Sequence, residues 1–529
     1  MSKTWRDIGS LYQIYPRSFQ DTNGDGVGDL RGITERLGYL SWLGVESVWI
    51  SPFFTSPMTD FGYDVANYCE VDLTFGTLSD FTELIEAAHS YNIKVMIDLV
   101  PCHTSDQHAW FQESRSSRDN PKRDYYVWRD PAPDGSAPNN WRSLAAGRSW
   151  TFDEASGQYY LHSFLPTQPD LNWDNPAVRE EMKNVVRFWY DRGVDGLRVD
   201  AIWGISKDLE LADDPVNPDF HDDLEQYGSY IHNKCKYGPN FDQYLGELAS
   251  VNDEYEDRQM VFEFYPDEQL GDIYDQYGRV ATIHPGASAF FMEYRQNNWH
   301  ADATKYAIGR YLERVERAVP FFCIGNHDQP RIVSRLGHER ARALSFQNLV
   351  TPGISVVYYG DELGMENGDL HADDIQDTFS PSHTKFDSRD LERTPMQWDD
   401  GENAGFSEAK PWLPVHANAS RVNVLTESGD DSSLLHMHRQ LLKLRQELPV
   451  LRSGSLEFFD TGNGYVLAFK RELDGTRAYV LVNYADSPQT VALPETAVLL
   501  ASSQRAADGS EECSSIELGG YEAVLLVVR

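Results

Sequence analysis

Short apolar runs alternate with longer segments of helical period along most of the chain. Residues 11–15 (LYQIY) precede ITERLGYLSWLG, which ends at Gly44; VESVWIS (45–51) precedes FTELIEAAHSY; NIKVMIDLV follows, with Asp98 near its carboxyl end. A short apolar run before a segment of 3.6-residue period predicts a βα unit, and successive units stack a parallel sheet buried on both faces. From 104 to 172 the rhythm breaks in a stretch centred on WRDPAPDGSAPNNW, rich in turn formers, which reads as an insertion after the third strand. It resumes with NPAVREEMKNVVRFWYDRG, where Asn175 is placed to cap and Pro176 to open a helix, and then with VDGLRVD, QMVFEF, PFFCIG and ISVVYY. From about 456 short alternating strands (YVLAFK, AYVLVNY, YEAVLLVVR) predict an all-β terminal module.

Periodicity alone leaves open a closed (β/α)8 barrel and a doubly wound sheet. The placement of polar residues favours the barrel. Asp98 and His103 follow one predicted strand, Arg198 and Asp200 the next, Glu263 another, and Asn326, His327 and Asp328 a fourth. That edge is where an eight-stranded barrel builds its active site. Singly, Asp98 reads as a loop cap and His103 as a core imidazole; together the carboxylates, histidines and arginine form a catalytic inventory. The expected fold is therefore α/β, a (β/α)8 TIM barrel over 1–103 and 173–455, a loop-rich inserted domain over 104–172 and a C-terminal antiparallel β-sandwich over 456–529.

The chain has 529 residues, 41% of them hydrophobic, enough for a sizeable core and against global disorder. Lys+Arg is 46 against 83 Asp+Glu, a net charge of −37. Such a surface repels phosphate backbones and anionic lipids, so nucleic acid and membrane partners are not expected; solubility or a salty cytosol explains the excess. Five widely spaced cysteines, with no Cys-x-x-Cys and no histidine read at zinc spacing, predict reduced thiols. No signal-peptide core or membrane-length apolar run is found, and a cytoplasmic location is expected.

DLVPCHTS (98–105), GVDGLRVDAI (193–202), MVFEFYP (260–266) and FFCIGNHDQ (321–329) resemble the four ordered regions of glycoside hydrolase family 13, the α-amylase superfamily. GVESVWISPF (44–53), QPDLNW (168–173) and YYGDELGM (358–365) extend the likeness; QPDLNW with RTPMQWDD, GFS and KPWLPV (393–415) is similar to its oligo-1,6-glucosidase and α-glucosidase branch. The resemblance implies that Asp200 is the nucleophile, Glu263 the acid/base and Asp328 the carboxylate gripping sugar hydroxyls, with His103 and His327 around the same sugar. Arg198, two residues before Asp200 on a strand, shares its face and is expected to keep it ionised. Glu263, among Phe262, Phe264 and Tyr265, is expected to be protonated at rest. Glu247 in YLGELAS is a rival acid, rejected because its surroundings have helical spacing.

In DFGYDV (60–65), Asp60 and Tyr63 match positions holding a terminal glucose, with Arg393 as the expected partner of Asp60; an Asp–Arg pair at that depth closes the pocket and favours exo-action. Phe164 resembles an aromatic wall, and Gln168 is expected to reach the site from the insertion. DTNGDGVGD offers oxygens at Asp21, Asn23, Asp25, the Val27 carbonyl and Asp29, with Gly32 where an EF-hand needs a glutamate. The resemblance implies one structural Ca2+ or Mg2+ there and no organic cofactor; a metal-free loop of Asx turns is the alternative. Cys102, before His103, is expected to be a thiol near the pocket. Ala201, after the nucleophile, leaves room at the leaving-group site. The expectation is a retaining exo-α-glucosidase of short α-glucosides with transglucosylation, monomeric or homodimeric. A dedicated transglucosylase or an isomerase or hydrolase of sucrose or trehalose is the enzymatic alternative. A catalytically inactive binding subunit is the other class, disfavoured by the three carboxylates.

Overall fold

The computed structural model describes residues 3–528 except 146, 209, 221–226, 294–298, 380–387 and 508. Eight parallel strands close a barrel: β1 (Ser10–Ile14), β2 (Ser47–Ile50), β3 (Lys94–Leu99), β4 (Gly196–Val199), β5 (Gln259–Phe262), β6 (Ala287–Phe291), β7 (Phe321–Cys323) and β8 (Ile354–Tyr358), each hydrogen-bonded to the next and β8 to β1. A helix follows each: α1 (Leu30–Leu43), α2 (Leu78–Ser90), α3 (Pro176–Tyr190), α4 (Phe241–Ala249), α5 (Ile273–Ala281), α6 (Ala301–Arg314), α7 (His338–Val350) and α8 (Leu434–Glu447). Apart from Lys94 at the start of β3, β1 to β8 are buried along their lengths, which is why they read as apolar runs rather than alternating ones.

Local chemistry sets the helix ends. The Asp29 carboxylate accepts from the Gly32 amide at the start of α1, and Gly44 ends that helix in the left-handed region at φ 98°. Thr77 and Asp80 form a capping box on α2. Asn175 accepts from the Ala177 amide and Pro176 opens α3, as the sequence predicts.

Four elements went unread, α8 among them. β6 is a five-residue run, ASAFF, and α5 before it is only nine residues long; α5 carries an Asp272 N-cap, while β6 has only Pro285 and Gly286 before it. α7 also escaped, because it buries Ser345, Gln347 and Asn348 along with its apolar residues, and its period is blurred.

The insertion holds a three-stranded antiparallel sheet (Trp128–Arg129, Trp150–Asp153, Gln158–Leu161) and rejoins the barrel through bridges His103–Asp170 and Tyr126–Leu171. The C-terminal module is a six-stranded antiparallel sheet from β9 (Ser455–Phe458), β10 (Val466–Leu473), β11 (Thr476–Asn483), β12 (Gln489–Ser502), β13 (Glu512–Leu518) and β14 (Ala523–Val527), in the order β9-β10-β11-β14-β12-β13. One face joins the main core through Phe469, Val480 and Leu525; the other, with Leu481, Leu499 and Leu526, encloses a core of its own. No helix among the described residues is long and apolar enough to cross a membrane.

Candidate active site

Register delivers the charged cluster. Asp98 on β3 pairs with Arg198 on β4, and Val199 pairs with Phe262 on β5, so Asp200 and Glu263 emerge side by side, one residue beyond their strands. Arg198 is fully buried; its Nη1 donates to Asp98 Oδ1 at 2.5 Å and to Asp200 Oδ1 at 2.5 Å, and its Nη2 lies 2.8 Å from Glu263 Oε1. Trp49 Nε1 holds the other oxygen of Asp98 at 2.6 Å. Burial pushes the Asp98 carboxyl up to about 7 against the pull of Arg198 and Trp49. Burial raises Asp200 as well; Arg198 opposes the rise, and the nearby Glu263 and Asp98 carboxylates add to it. One guanidinium thus faces three buried carboxylates, and its charge does not offset the burial of Asp98 and Asp200.

Glu263 sits in more polar surroundings than its flanking aromatics suggest. Tyr265 donates its hydroxyl to Oε1 at 3.1 Å, and the backbone amide of Ala201 donates to Oε2 at 3.1 Å. Ala201 reaches that carboxylate from the left-handed region, φ 44° and ψ 41°, a conformation that costs a non-glycine residue about 1–3 kcal/mol. Phe262, by contrast, is buried in the barrel.

Asp328 lies five residues past β7, in a different field. Arg393 Nη2 is 2.9 Å and Arg389 Nη1 3.4 Å from its Oδ1. Burial works against its charge, but His327 and the two guanidiniums hold its carboxyl far below the usual range. Burial in turn depresses His327 well below the usual imidazole value. Gln13 Nε2 donates to His327 Nδ1 at 2.8 Å, which leaves the ring proton on Nε2, 2.7 Å from the Tyr63 hydroxyl and 3.3 Å from Asp328 Oδ2.

The Asp60–Arg393 pair expected from the sequence does not form. Asp60 Oδ1 is bound by Arg389 Nη2 at 2.8 Å, while Arg393 donates Nε to the His327 carbonyl at 2.8 Å and its Nη2 to Asp328. The short 3-10 turn Arg389–Glu392 puts the two arginines one turn apart, and the earlier one projects to the pocket. Arg389 and its second partner Asp377, 2.8 Å away, were missed; the signal was an arginine four residues before the one chosen.

These groups surround a cavity of about 470 Å³. Asp60, Tyr63, His103, Phe164, Asp200, Glu263, Tyr265 and Asp328 are on its wall, together with the unanticipated Trp203, Tyr237 and Arg389. Arg198, Gln168, His327 and Arg393 stand behind that wall. Gln168 Nε2 donates to Asp60 Oδ2 at 2.9 Å, and Phe164 tilts against His103, ring centres 5.0 Å apart. Cys102 is fully buried, off the cavity, with burial pushing its thiol up. It packs against Ala201 and Trp203 of the cavity wall, and a Cβ on Gly204 would lie 2.4 Å from its sulfur. Glu247 faces outward on α4 and pairs with Arg179 at 2.7 Å, away from the mouth.

In the 21–29 loop, Asp21 Oδ1 accepts from the Asn23 and Gly24 amides, Asn23 Oδ1 from Asp25 and Asp25 Oδ1 from Val27. These successive Asx turns wind the loop; Asn23 Oδ1 and Asp25 Oδ1 each accept one amide and keep a lone pair, whereas Asp21 Oδ1 accepts two and its Oδ2 accepts from the Gly26 amide at 2.8 Å and the Ser407 hydroxyl at 2.6 Å. Asp29 is committed to Thr22 and to the α1 cap.

The catalytic-domain profile of the α-amylase family matches residues 13–454. The chain belongs to glycoside hydrolase family 13. It is a glycoside hydrolase of the oligo-1,6-glucosidase and α-glucosidase branch. A probable α-glucosidase of Rhizobium meliloti (strain 1021) is 41% identical over 93% of this chain and 91% of its own. An oligo-1,6-glucosidase of Parageobacillus thermoglucosidasius is 35% identical over the full length of both. The crystal structure of the α-glucosyl transfer enzyme XgtA superimposes with a TM-score of 0.91 at 38% identity, covering 100% of each chain. These likenesses run through all eight barrel units and the β module of this family 13 member.

Proposed function

We propose that this family 13 hydrolase is a retaining exo-α-glucosidase that removes the nonreducing glucose of short α-glucosides through a covalent glucosyl–Asp200 intermediate. The observation that carries the reading is Arg198, whose two terminal nitrogens hold Asp200 and Glu263 together. Oxygens hung on one guanidinium favour the roughly 5–5.5 Å carboxyl separation of retaining enzymes over the roughly 6.5–9.5 Å of inverting ones. Arg198 engages Asp200 Oδ1 and leaves Oδ2, which has no partner among the described residues, for the anomeric carbon. Glu263, as the acid, gives a proton to the leaving oxygen, then as the base takes one from water or a second sugar. Asp328, held charged, and neutral His327 suit sugar hydroxyls. The Asp60–Arg389–Asp377 chain closes the floor, which supports exo-action.

Transfer to a sugar acceptor is part of the same reading. The small side chain of Ala201 and the aromatic walls of Trp203, Tyr237 and Tyr265 offer an acceptor a surface on which to compete with water. A structural cation is a separate proposal: Asp21, Asn23, Asp25 and the Val27 carbonyl would hold Ca2+ or Mg2+ far from the chemistry, with Asp29 bracing the loop. Chelation is then expected to lower the melting temperature, restored by the added ion. No change on chelation, with no metal retained by the purified protein, overturns it.

The test of the main reading is proton NMR of hydrolysis of maltose, isomaltose, sucrose and trehalose by wild type and Asp200→Ala. Initial release of α-glucose, abolished in the variant, is expected, with glucosylated products growing as acceptor rises. Initial β-glucose overturns retention.

A further inference from the structure

Between β4 and α4 the chain crosses over the insertion and carries a cluster that the glycosidic chemistry does not use. Asp214, His232 and Cys235 are buried, and one ligand-type atom of each lies within 4.8 Å of the others. His232 Nδ1 is 3.3 Å from Asp214 Oδ2 and 3.5 Å from Cys235 Sγ. Zinc bonds of roughly 2.0–2.2 Å to nitrogen and oxygen and roughly 2.3 Å to sulfur, at tetrahedral angles, separate N from O by roughly 3.4 Å and N from S by roughly 3.6 Å. The two distances from His232 Nδ1 match two edges of such a tetrahedron.

Their outer partners match. His232 Nε2 donates to the Tyr227 carbonyl at 2.7 Å, so in the neutral ring Nδ1 presents a lone pair toward the carboxylate. Two acceptors thus face each other with only the thiol proton between three atoms. Asp214 Oδ1 accepts from the Lys234 amide at 2.8 Å, leaving Oδ2 turned to the cluster. The Asn140 side chain grips the Asp214 backbone at both N and O, 2.8 Å each. Outer partners of this kind orient ligating histidines and carboxylates. A thiolate and a carboxylate also balance a divalent cation, leaving no net buried charge.

We propose that Asp214 Oδ2, His232 Nδ1 and Cys235 Sγ bind one zinc-class divalent cation, with water in the fourth position. The thiol proton passes to solvent on binding. The absence of a histidine at zinc spacing, read from the sequence, is overturned: His232 lies three residues before Cys235, and Asp214 joins them only in space. Cys235 packs on Trp141, Trp150 and Leu161 of the insertion, and the next two residues line the active-site cavity. The cation would therefore fasten that wall to the insertion.

The test is equilibrium titration of the metal-free full-length protein with Zn2+ and Co2+. One equivalent is expected to bind, Co2+ giving a sulfur-to-metal charge-transfer band that Cys235→Ser abolishes, and Asp214→Asn weakening Zn2+ tenfold or more. A Co2+ spectrum without the band, or Zn2+ uptake equal in wild type and Cys235→Ser, overturns the site. Should the variants not fold, wild-type Cys235 is followed by alkylation and peptide mass spectrometry. Protection by Zn2+ supports the site, and none overturns it.

Discussion

The two sides of the pocket carry the same kinds of group in different proportion. On one side Arg198 alone serves Asp98, Asp200 and Glu263; on the other Arg389 and Arg393 serve Asp60, Asp328 and Asp377. Burial raises Asp98, to about 7, and Asp200 on the first side, whereas on the second Asp328 and Asp377 fall far below the usual range despite burial. Burial pushes all four of these carboxyls up; two guanidiniums outweigh it on the second side, and one does not on the first. The richer side therefore keeps fixed charges suited to sugar hydroxyls.

The strongest blow to the first side is Asp200→Ala, expected to cut kcat roughly 10⁴-fold or more with an unchanged melting temperature. Loss below tenfold would remove the nucleophile from the argument. On the second side, Arg389→Ala strands Asp60 and Asp377 as unpaired buried charges, at about 3–5 kcal/mol of stability, with a raised KM. The fall in denaturation midpoint should shrink as pH drops below the ordinary aspartate value of about 3.9, because the depressed carboxyls contribute stability only above it. A midpoint equal to wild type at pH 7 would deny the pairing.

Asp98→Asn tests the proportion itself. It removes a like charge and frees Arg198 for Asp200, so the Asp200 carboxyl drops and its base form persists to lower pH. The acid limb of kcat/KM should move down by about one unit; an unmoved or raised limb would break the comparison. The smallest effect is Asp29→Ala, which removes the α1 cap at a cost of about 1 kcal/mol, read by chemical denaturation.

The strand-end residues were legible because a strand has a period of two and a barrel has one catalytic edge. Arg198 and Asp200 share a face by spacing alone, and seven of the eight strands stood out as apolar runs; β6, short and bounded by weak signals, did not. The pocket floor was less legible. Arg389 and Arg393 are equivalent as letters, and a single turn of 3-10 helix decides which of them meets Asp60.

From sequence alone came the alternating units, the carboxylates at their ends and the family they resemble, because local periodicity and short motifs are written within a few residues. Tertiary structure alone decided the partner of Asp60, the burial of Cys102, the left-handed Ala201 whose amide meets Glu263, and the meeting of Asp214 with His232 and Cys235. These depend on how loops from separate units fold over one barrel mouth, where contact is set by packing in space and not by distance along the chain.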